Sequence, residues 1–282
     1  MMKIANFKLN GKHKFGIVKG SGIIDVSAVY GNKYPSLKTF LENEDISELA
    51  EISTAQIDYK IDQVEYLPVI DNPTKIICVG MNYSEKRAEF NELNPEPTLF
   101  VRFADSQTGH LTCINKPAES HEFDYEGELA VIIGKTCFHV SEDDALNFIA
   151  GYSCYMDGSA RDWQHTWYTA GKNWPKTGGF GPYLTSKDEI HDPHNLSIRT
   201  FLNATEVQND NTKNMIHKIP YLIAYISTFT QLSPGDVIIT GSPGGVGKKR
   251  IPPLFLKEGD CIEVEIEGLG RLRNHIREVR IA

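Results

Sequence analysis

The chain has 282 residues, of which 40% are hydrophobic and 23% charged, and its formal net charge is −8. This composition is ordinary for a globular protein built from one large domain, or from a small domain plus a larger one. The 29 Lys and Arg residues form no basic block, so the sequence predicts no binding to nucleic acid or to an anionic membrane.

The cysteines and the N-terminus bear on localisation. The five cysteines are scattered and none has Cys-x-x-Cys spacing, which is typical of free thiols in a reducing compartment. The first eight residues lack the apolar stretch of a signal peptide, and no apolar run reaches membrane-spanning length. We therefore expect a cytoplasmic protein.

Residues 1–70 are predicted to form a small N-terminal α/β domain. Short strand-like segments at residues 3–9, 15–18 and 23–26 alternate with Gly and Asn turns. Apolar residues at helical spacing predict a helix over residues 37–52. None of these segments carries residues that suggest chemistry.

The remaining residues, 71–282, are predicted to form a strand-rich second domain. A charged helix is expected over residues 84–91. Ser141, with an acid three positions later, has the pattern of a helix N-cap and predicts a helix that ends near Gly151. Pro220 stands where another helix is expected to begin. The spacing of the strands does not suggest regular βαβ units.

Three acidic residues in this second domain are the strongest functional signal. Glu126 and Glu128 lie two positions apart before an apolar, β-branched segment, and Asp157 follows 31 residues after Glu126. In a strand, side-chain alternation would place both glutamates on one face, where like charges repel each other. A divalent cation would remove this repulsion, and carboxylates favour Mg²⁺, Mn²⁺ or Ca²⁺ over zinc. The alternative is a solvated strand edge with Asp157 in a turn.

Cationic and amide side chains follow Asp157. Arg161 and Gln164 come one and two helical turns later, so a helix here would place them on one side. Lys172 lies in a Gly-rich segment, where the backbone can pass close to a ligand. Near a metal, these groups would stabilise negative charge that builds on a carbonyl oxygen. The alternative is a surface helix with ordinary salt bridges.

The segment TGSPGGVGKK at residues 240–249 has only a partial phosphate-loop pattern. Ser242 occupies the position of the first glycine, and Lys249 replaces the Ser or Thr that follows the lysine. Nucleotide binding is therefore not expected. Two interpretations stay open: a tight loop that offers amides and the Ser242 hydroxyl to a substrate carboxylate, or a plain turn.

Five motifs in one order resemble the fumarylacetoacetate hydrolase family over roughly residues 75–280. In chain order they are KIICVGMNY, DYEGELAVIIG, AGYSCYMDGSARD, VIITGSPGGVG and VEIEGLGRLRN. The resemblance implies an α+β, β-rich fold, whose catalytic domain is a mixed β-sandwich roll, usually in a homodimer. It also implies a small anionic keto acid as the substrate.

The resemblance also implies roles for single residues. Glu126, Glu128 and Asp157 would hold a divalent ion, which is Mg²⁺, Mn²⁺ or Ca²⁺. Lys172, Arg161 and Gln164 are implied to polarise the oxygens of the substrate. Ser242 is implied to contact the substrate carboxylate, and Arg102 is a weaker candidate for binding a second substrate anion.

One position departs from the family pattern. Hydrolytic members carry a His after the Asn-Tyr pair and a Glu three residues later, and these two activate water. Here Lys86 stands at the His position and Glu89 is retained. A lysine at its ordinary pKa is protonated at neutral pH, and it would need strong desolvation to act as a base. Glu89 alone, or His110, could substitute for the missing base.

The resemblance predicts a metal-dependent hydrolase that cleaves a C–C bond in an acylpyruvate-type β-diketo acid. Lys86 motivates a second hypothesis, a metal-dependent decarboxylase, isomerase or hydratase acting on a related 2-oxo acid. A third hypothesis, from another class, is a catalytically silent relative that binds metal and keto acid as a sensor or scaffold. Substrate specificity is expected to depend on residues 84–97 and 163–176.

Overall fold

The computed structural model describes residues 2–280 and contains three β-sheets with short helices between the strands. The predicted N-terminal strands are present. The helix predicted over residues 37–52 is wrong, because the chain leaves the helix after Leu41 and Asp45 caps a separate 3₁₀ turn at Ile46–Ala50. The elements of this segment are β1 (Lys3–Leu9), β2 (Lys12–Lys19), β3 (Gly22–Asp25), α1 (Val26–Tyr30), α2 (Leu37–Leu41), β4 (Tyr59–Lys60) and β5 (Glu65–Tyr66).

In the rest of the chain, Pro220 lies in the first turn of a helix and Ser141 caps another, as predicted. The helix capped by Ser141 ends at Ala145 and does not reach Gly151, because the apolar segment from Ile149 forms a fully buried strand. The elements are β6 (Ile76–Gly80), α3 (Ser84–Phe90), β7 (Thr98–Arg102), β8 (Gln107–Thr108), β9 (Cys113–Pro117), β10 (Phe123–Asp124), β11 (Gly127–Ile133), α4 (Glu142–Ala145), β12 (Ile149–Asp157), β13 (Ser159–Ala160), α5 (Thr169–Lys172), β14 (Gly178–Ser186), β15 (Ser197–Leu202), β16 (Thr205–Asn211), α6 (Ile219–Phe229), β17 (Val237–Ile239), β18 (Cys261–Ile266) and β19 (Gly270–Val279).

The largest sheet includes strands from both predicted domains. Its order is β4-β3-β2-β1-β14-β12-β11-β17-β6-β7, with β5 paired to β1 and β8 paired to β14. The pairs β17–β6 and β14–β8 are parallel and the others are antiparallel. Strand β1 joins β14 at the pair Lys3 and Thr185, so the N-terminal strands extend the sheet that carries β11 and β12. The domain boundary at residue 70 stays a prediction.

A five-stranded sheet, β16-β15-β18-β19-β9, packs against the large sheet. Leu129 and Val131 of β11 share a buried core with Ile198 of β15 and Val264 of β18. This sheet-on-sheet packing confirms the predicted β-rich sandwich and leaves β11 and β12 in the centre of the molecule. The longest helix within residues 2–280 has 11 residues, and none there has the length and apolar character that crossing a bilayer demands.

Candidate active site

Two central strands bring three carboxylates to one face of the large sheet. Strand β11 begins directly after Glu126, and β12 ends at Asp157. Their antiparallel register places Glu128 opposite Tyr155, two residues before Asp157. Because opposite residues of an antiparallel pair share a face, Glu126, Glu128 and Asp157 all point to the same side. The Asp157 N–H also donates to the Glu126 carbonyl at 2.8 Å.

The three carboxylates line one small cavity, of about 20 Å³, which is large enough for an ion and is partly open to the surface. All three side chains are buried, so their negative charges are costly unless cations compensate them. The other polar residues that line the cavity are Lys86, Arg161, Tyr168, Lys172 and Ser242.

Lys172 compensates two of the carboxylates. Its Nζ donates to Glu126 Oε1 at 2.8 Å and to Asp157 Oδ2, and it lies 5.0 Å from the centre of the Phe100 ring. Burial alone would lower the pKa of Lys172, but Asp157 and Glu126 raise this pKa above its ordinary value. Lys172 is therefore a protonated donor at the cavity.

Arg161 is the second cation at Glu126. Its Nη2 lies 3.0 Å from Glu126 Oε1, and its Nε donates to Asp124 Oδ2 at 2.9 Å. Burial would raise the pKa of Glu126, but Arg161, Lys172 and Lys86 hold it well below its ordinary value. Glu126 is thus ionised and surrounded by cations.

Glu128 has no cationic partner among residues 2–280. It is 3% exposed and accepts a hydrogen bond from the N–H of Gly241 at 2.7 Å. Burial, together with the neighbouring Asp157 and Glu126, raises the pKa of Glu128 well above its usual range. A buried carboxylate that faces two others beside an ion-sized cavity fits the site of a hard divalent cation.

The carboxylates are not already arranged as a metal cage. Within residues 2–280, no three Asp, Glu, His or Cys side chains converge closely enough to hold an ion. Instead the protein's own cations occupy the oxygens, since Lys172 bridges Glu126 and Asp157. Three carboxylates without a thiolate still form a donor set suited to Mg²⁺, Mn²⁺ or Ca²⁺. Such an ion would compete with Lys172 for the oxygens of Glu126 and Asp157.

Arg102 does not line the cavity, so its contact with a second substrate anion stays a prediction. The side chain is 2% exposed and donates through Nη1 to Asp157 and, at 3.0 Å, to the Gly158 carbonyl. The Nη2 group donates to Thr177 Oγ1 at 2.8 Å and to the Ser106 carbonyl, and Nε donates to Ser106 Oγ. All five guanidinium donors are used within the protein, so Arg102 holds Asp157 in place.

Lys86 and Ser242 both line the cavity, and their predicted roles toward a substrate stay predictions. Lys86 Nζ donates to Glu126 Oε2 at 2.9 Å and to Ser242 Oγ at 3.3 Å. The Ser242 hydroxyl in turn donates to the same Glu126 oxygen at 2.8 Å. Burial lowers the pKa of Lys86, although Glu126 opposes this effect. Burial thus favours the neutral amine, whereas the ion pair with Glu126 favours the ammonium group.

The two other predicted bases do not line the cavity. Glu89 Oε1 accepts from the N–H of Gly245 at 2.7 Å, and its buried Oε2 has no hydrogen-bond partner in the described chain. His110 packs edge-on against Tyr66, with ring centres 4.9 Å apart, and its Nδ1 accepts from the N–H of Arg273 at 3.1 Å. His110 is thus part of the packing between elements and does not replace the missing base.

The structure predicts an acid-dependent loss of stability from His110. Burial, together with Arg273, lowers its pKa to about 4. The neutral form is favoured in the folded protein, so its stabilisation is complete above the unfolded pKa of about 6.5 and is lost as the pH falls towards 4. From about pH 7.5 to about pH 5, we expect the wild type to lose about 2 kcal/mol more unfolding free energy than His110→Asn. Urea unfolding at both pH values tests this, and equal losses would contradict it.

Sequence reasoning missed the role of Asp124. This carboxylate is fully buried and accepts from Arg161 Nε and from the N–H groups of Gly247 at 2.7 Å and Lys248 at 3.1 Å. It thereby fixes Arg161 relative to the loop that carries Ser242. Asp124 belongs to the DYEGE motif, but the motif alone does not show which distant groups it accepts from.

The predicted helix from Asp157 through Gln164 is wrong. Strand β13 pairs with β10 directly after Asp157, and only a 3₁₀ turn, Arg161–Trp163, follows. Gln164 nevertheless stays beside Arg161, whose Nη1 donates to its Oε1 at 3.4 Å. The buried Nε2 of Gln164 has no hydrogen-bond partner in residues 2–280, so it remains available as a donor.

Comparison with known proteins gives one matching family model, described as fumarylacetoacetate (FAA) hydrolase C-terminal, over residues 75–277. The chain is also 42% identical over 265 residues to oxaloacetate tautomerase fahd2, mitochondrial, from Xenopus laevis. That alignment covers 91% of this chain and 83% of the relative.

Two solved structures extend the similarity to nearly the whole chain. Maleylpyruvate hydrolase from Sphingobium sp. SYK-6, in complex with manganese(II) ion and pyruvate, superposes with a TM-score of 0.84 at 27% identity, covering 99% of this chain and 100% of that one. The 2-hydroxyhepta-2,4-diene-1,7-dioate isomerase from Mycobacterium marinum gives a TM-score of 0.78 at 26% identity, with 99% of each chain covered. The similar structures thus include both a hydrolase and an isomerase.

Proposed function

Because the chain belongs to the fumarylacetoacetate hydrolase family, we propose that it is a divalent-metal-dependent keto–enol tautomerase of 2-oxo acids, with oxaloacetate as the substrate. Glu126, Glu128 and Asp157 would hold the ion, which is Mg²⁺, Mn²⁺ or Ca²⁺. This reaction belongs to the isomerase alternative of the sequence analysis and replaces C–C hydrolysis as the leading hypothesis.

The observation that carries this choice is the ion pair between Lys86 and Glu126. A hydrolase needs a base within hydrogen-bond reach of the attacking water. In this chain, Lys86 stands where the resemblance places the histidine base of hydrolases, and its Nζ lies 2.9 Å from the Glu126 carboxylate. In this ion pair the protonated lysine cannot accept a proton. Tautomerisation needs no attacking water, although in the enol-to-keto direction one proton must be lost from oxygen and one gained at carbon, both of which solvent can exchange. The 42% identity to an oxaloacetate tautomerase supports the same choice.

The residues around the cavity suit stabilisation of an enolate. When bound, the divalent ion would supply Lewis-acid polarisation of the substrate oxygens. Lys172 and Arg161 keep their protons, so both can donate hydrogen bonds to an oxygen that gains negative charge. Gln164 does not line the cavity, but its Oε1 accepts from Arg161, and its Nε2 has no hydrogen-bond partner within residues 2–280.

A product assay tests the proposed reaction. Protein stripped of metal, and then supplied with Mg²⁺ or Mn²⁺, is mixed with the enol form of oxaloacetate, and the decay of enol absorbance is followed. In parallel, pyruvate release is measured from a panel of acylpyruvates. We expect metal-dependent enol decay without pyruvate release. Metal-dependent pyruvate release without faster enol decay would overturn the proposal in favour of the hydrolase.

C–C hydrolysis stays the second candidate, because the buried Oε2 of Glu89 lacks a hydrogen-bond partner and could accept a proton. Glu89→Gln separates the two. A glutamine oxygen can still accept from the N–H of Gly245, so the variant should fold. For the tautomerase, we expect kcat within about threefold of the wild type, whereas water activation by Glu89 predicts a loss of about two to four orders of magnitude. Steady-state kinetics on oxaloacetate and acylpyruvates measures this difference.

A metal-binding sensor without catalysis would behave differently from both enzymes. Oxaloacetate with Mg²⁺ would raise its melting temperature while neither enol decay nor pyruvate release exceeded the protein-free rate.

A further inference from the structure

We propose that Lys86 is a specificity-determining residue, whose ammonium group binds the second carboxylate of a dianionic substrate. The inference rests on the proposed function and names the residue that selects 2-oxo dicarboxylates, such as oxaloacetate, over monoanionic 2-oxo acids. It assigns to Lys86 a fixed charge for recognition in place of the proton transfer performed by the histidine of hydrolytic members.

The first argument is the hydrogen bonding of the ammonium group. Lys86 is 2% exposed, and two of its three N–H groups are taken by Glu126 and Ser242. The described residues offer no acceptor to the third, although Lys86 lines the cavity. The Phe90 ring lies below the ammonium group, with its centre 5.2 Å from Nζ. The cation is thus held in position while one donor is left for a ligand.

The second argument is the position of Ser242. Its hydroxyl lies 3.3 Å from Lys86 Nζ, so an ammonium group and a hydroxyl stand side by side at the cavity. The single proton of this hydroxyl is donated to Glu126, so Ser242 orients the ammonium group as an acceptor and leaves the contact with a carboxylate to Lys86. Charged hydrogen bonds of this kind are roughly twice as strong as neutral ones. The oriented ammonium group therefore distinguishes a carboxylate from an uncharged group at the same place.

The third argument is the charge of the cavity. When all three carboxylates that line it are ionised, as ligands of a divalent ion would be, they are matched in number by three cations, Lys86, Arg161 and Lys172. Behind the lining, buried Arg102 and Asp124 add one charge of each sign and leave the net charge unchanged. A divalent ion would leave an excess of two positive charges, which a dianion neutralises. A monoanion would leave one buried charge without compensation, and such charges are costly.

The test compares ligands that differ by one carboxylate. Binding of malate, a dianionic 2-hydroxy acid, and of 2-hydroxybutyrate, its monoanionic counterpart, is measured by calorimetry on the Mg²⁺-loaded protein. We expect the wild type to prefer malate. Lys86→Met should weaken malate binding by about 10- to 100-fold and reduce the preference by a similar factor. Lys86→Gln, which keeps a donor for Glu126 without the charge, should show the same loss of preference.

A neighbouring lysine provides a matched control. Lys249 is exposed, does not line the cavity, and also has its Nζ over the Phe90 ring, 4.2 Å from the ring centre. We expect Lys249→Met to keep the preference for malate within about twofold, because solvent screens an exposed charge. An equal effect of Lys249→Met would show that the preference comes from general charge, and would overturn the role of Lys86.

Two further results would also overturn it. In the first, both Lys86 variants weaken malate and 2-hydroxybutyrate equally. In the second, they leave the ratio of the two affinities unchanged but reduce kcat on oxaloacetate, which indicates proton transfer by Lys86. Mn²⁺ titration of each variant shows whether a weaker binding of malate arises from weaker binding of the ion at Glu126. Failure of the proposed function is distinguishable, since a wild type without tautomerase activity can still show a Lys86-dependent preference for the dianion.

Discussion

Asp157→Asn is expected to reduce metal-dependent turnover by about three orders of magnitude or more. The substitution keeps the shape of the side chain but removes one of the three negative charges that line the cavity. It also leaves the protein's cations in excess, because Lys172 and Arg102 both donate to Asp157. A divalent ion should therefore bind much more weakly. Steady-state kinetics with Mg²⁺ and calorimetric titration with Mn²⁺ measure the two effects.

Asp162→Asn is the control for this substitution. Asp162 lies five positions further along and accepts from Ser120 Oγ at 2.6 Å and from the N–H of His121 at 2.8 Å, outside the cavity. We expect the control to keep its Mn²⁺ affinity, and circular dichroism to show that both variants are folded. Full activity of Asp157→Asn with unchanged Mn²⁺ affinity would exclude Asp157 as a ligand of the ion.

Arg102→Met is expected to destabilise the metal-free protein by about 3–5 kcal/mol, because it removes one partner of a fully buried ion pair. The side chains of Arg102 and Asp157 are both 0% exposed in this pair. Without Arg102, the orientation of Asp157 is no longer fixed, so we also expect Mn²⁺ affinity to fall by about 10- to 100-fold. Urea unfolding of the metal-free protein and calorimetric titration measure the two quantities.

The effects of Arg102→Met also show whether Arg102 holds Asp157 in place or contacts the substrate. Arg277, whose Nη2 donates to Asn115 Oδ1 at 3.3 Å on the surface, provides the control, and Arg277→Met should change stability by no more than about 0.5 kcal/mol. If Arg102→Met instead raised only the KM for the substrate, with stability and Mn²⁺ affinity unchanged, the substrate contact predicted from the sequence would be right.

The acidic residues could be predicted from the sequence because their signal is local. Glu126 and Glu128 have strand spacing beside an apolar segment, and alternation alone places them on one face. The part played by Asp157 depends on the register between β11 and β12, which the sequence does not specify. The order of the family motifs supplied that information instead.

The contact between Arg102 and Asp157 could not be predicted from the sequence, for a physical reason. Its partner Asp157 is 55 positions away, and the contact depends on how β7, β12 and β14 come together. A lone arginine in a strand has the same local pattern whether it faces a substrate or a buried carboxylate.

The helix predicted over residues 37–52 was wrong for a related reason. Apolar spacing over this segment fits a single helix, and only the cap at Asp45 indicates that the chain begins a new turn. The homodimer and the cytoplasmic location stay predictions.

The most direct test of the proposed metal-dependent tautomerase is a Mn²⁺ titration of the metal-stripped protein, with bound ion and the rate of oxaloacetate enol decay measured in the same samples. We expect one ion per chain, and a rate that rises in proportion to its occupancy up to that equivalent. Glu128→Gln, which changes the carboxylate without a cationic partner, should weaken both the binding and the rate together. Enol decay at the full rate in the metal-free protein, or ion binding that has no effect on the rate, would contradict the proposal.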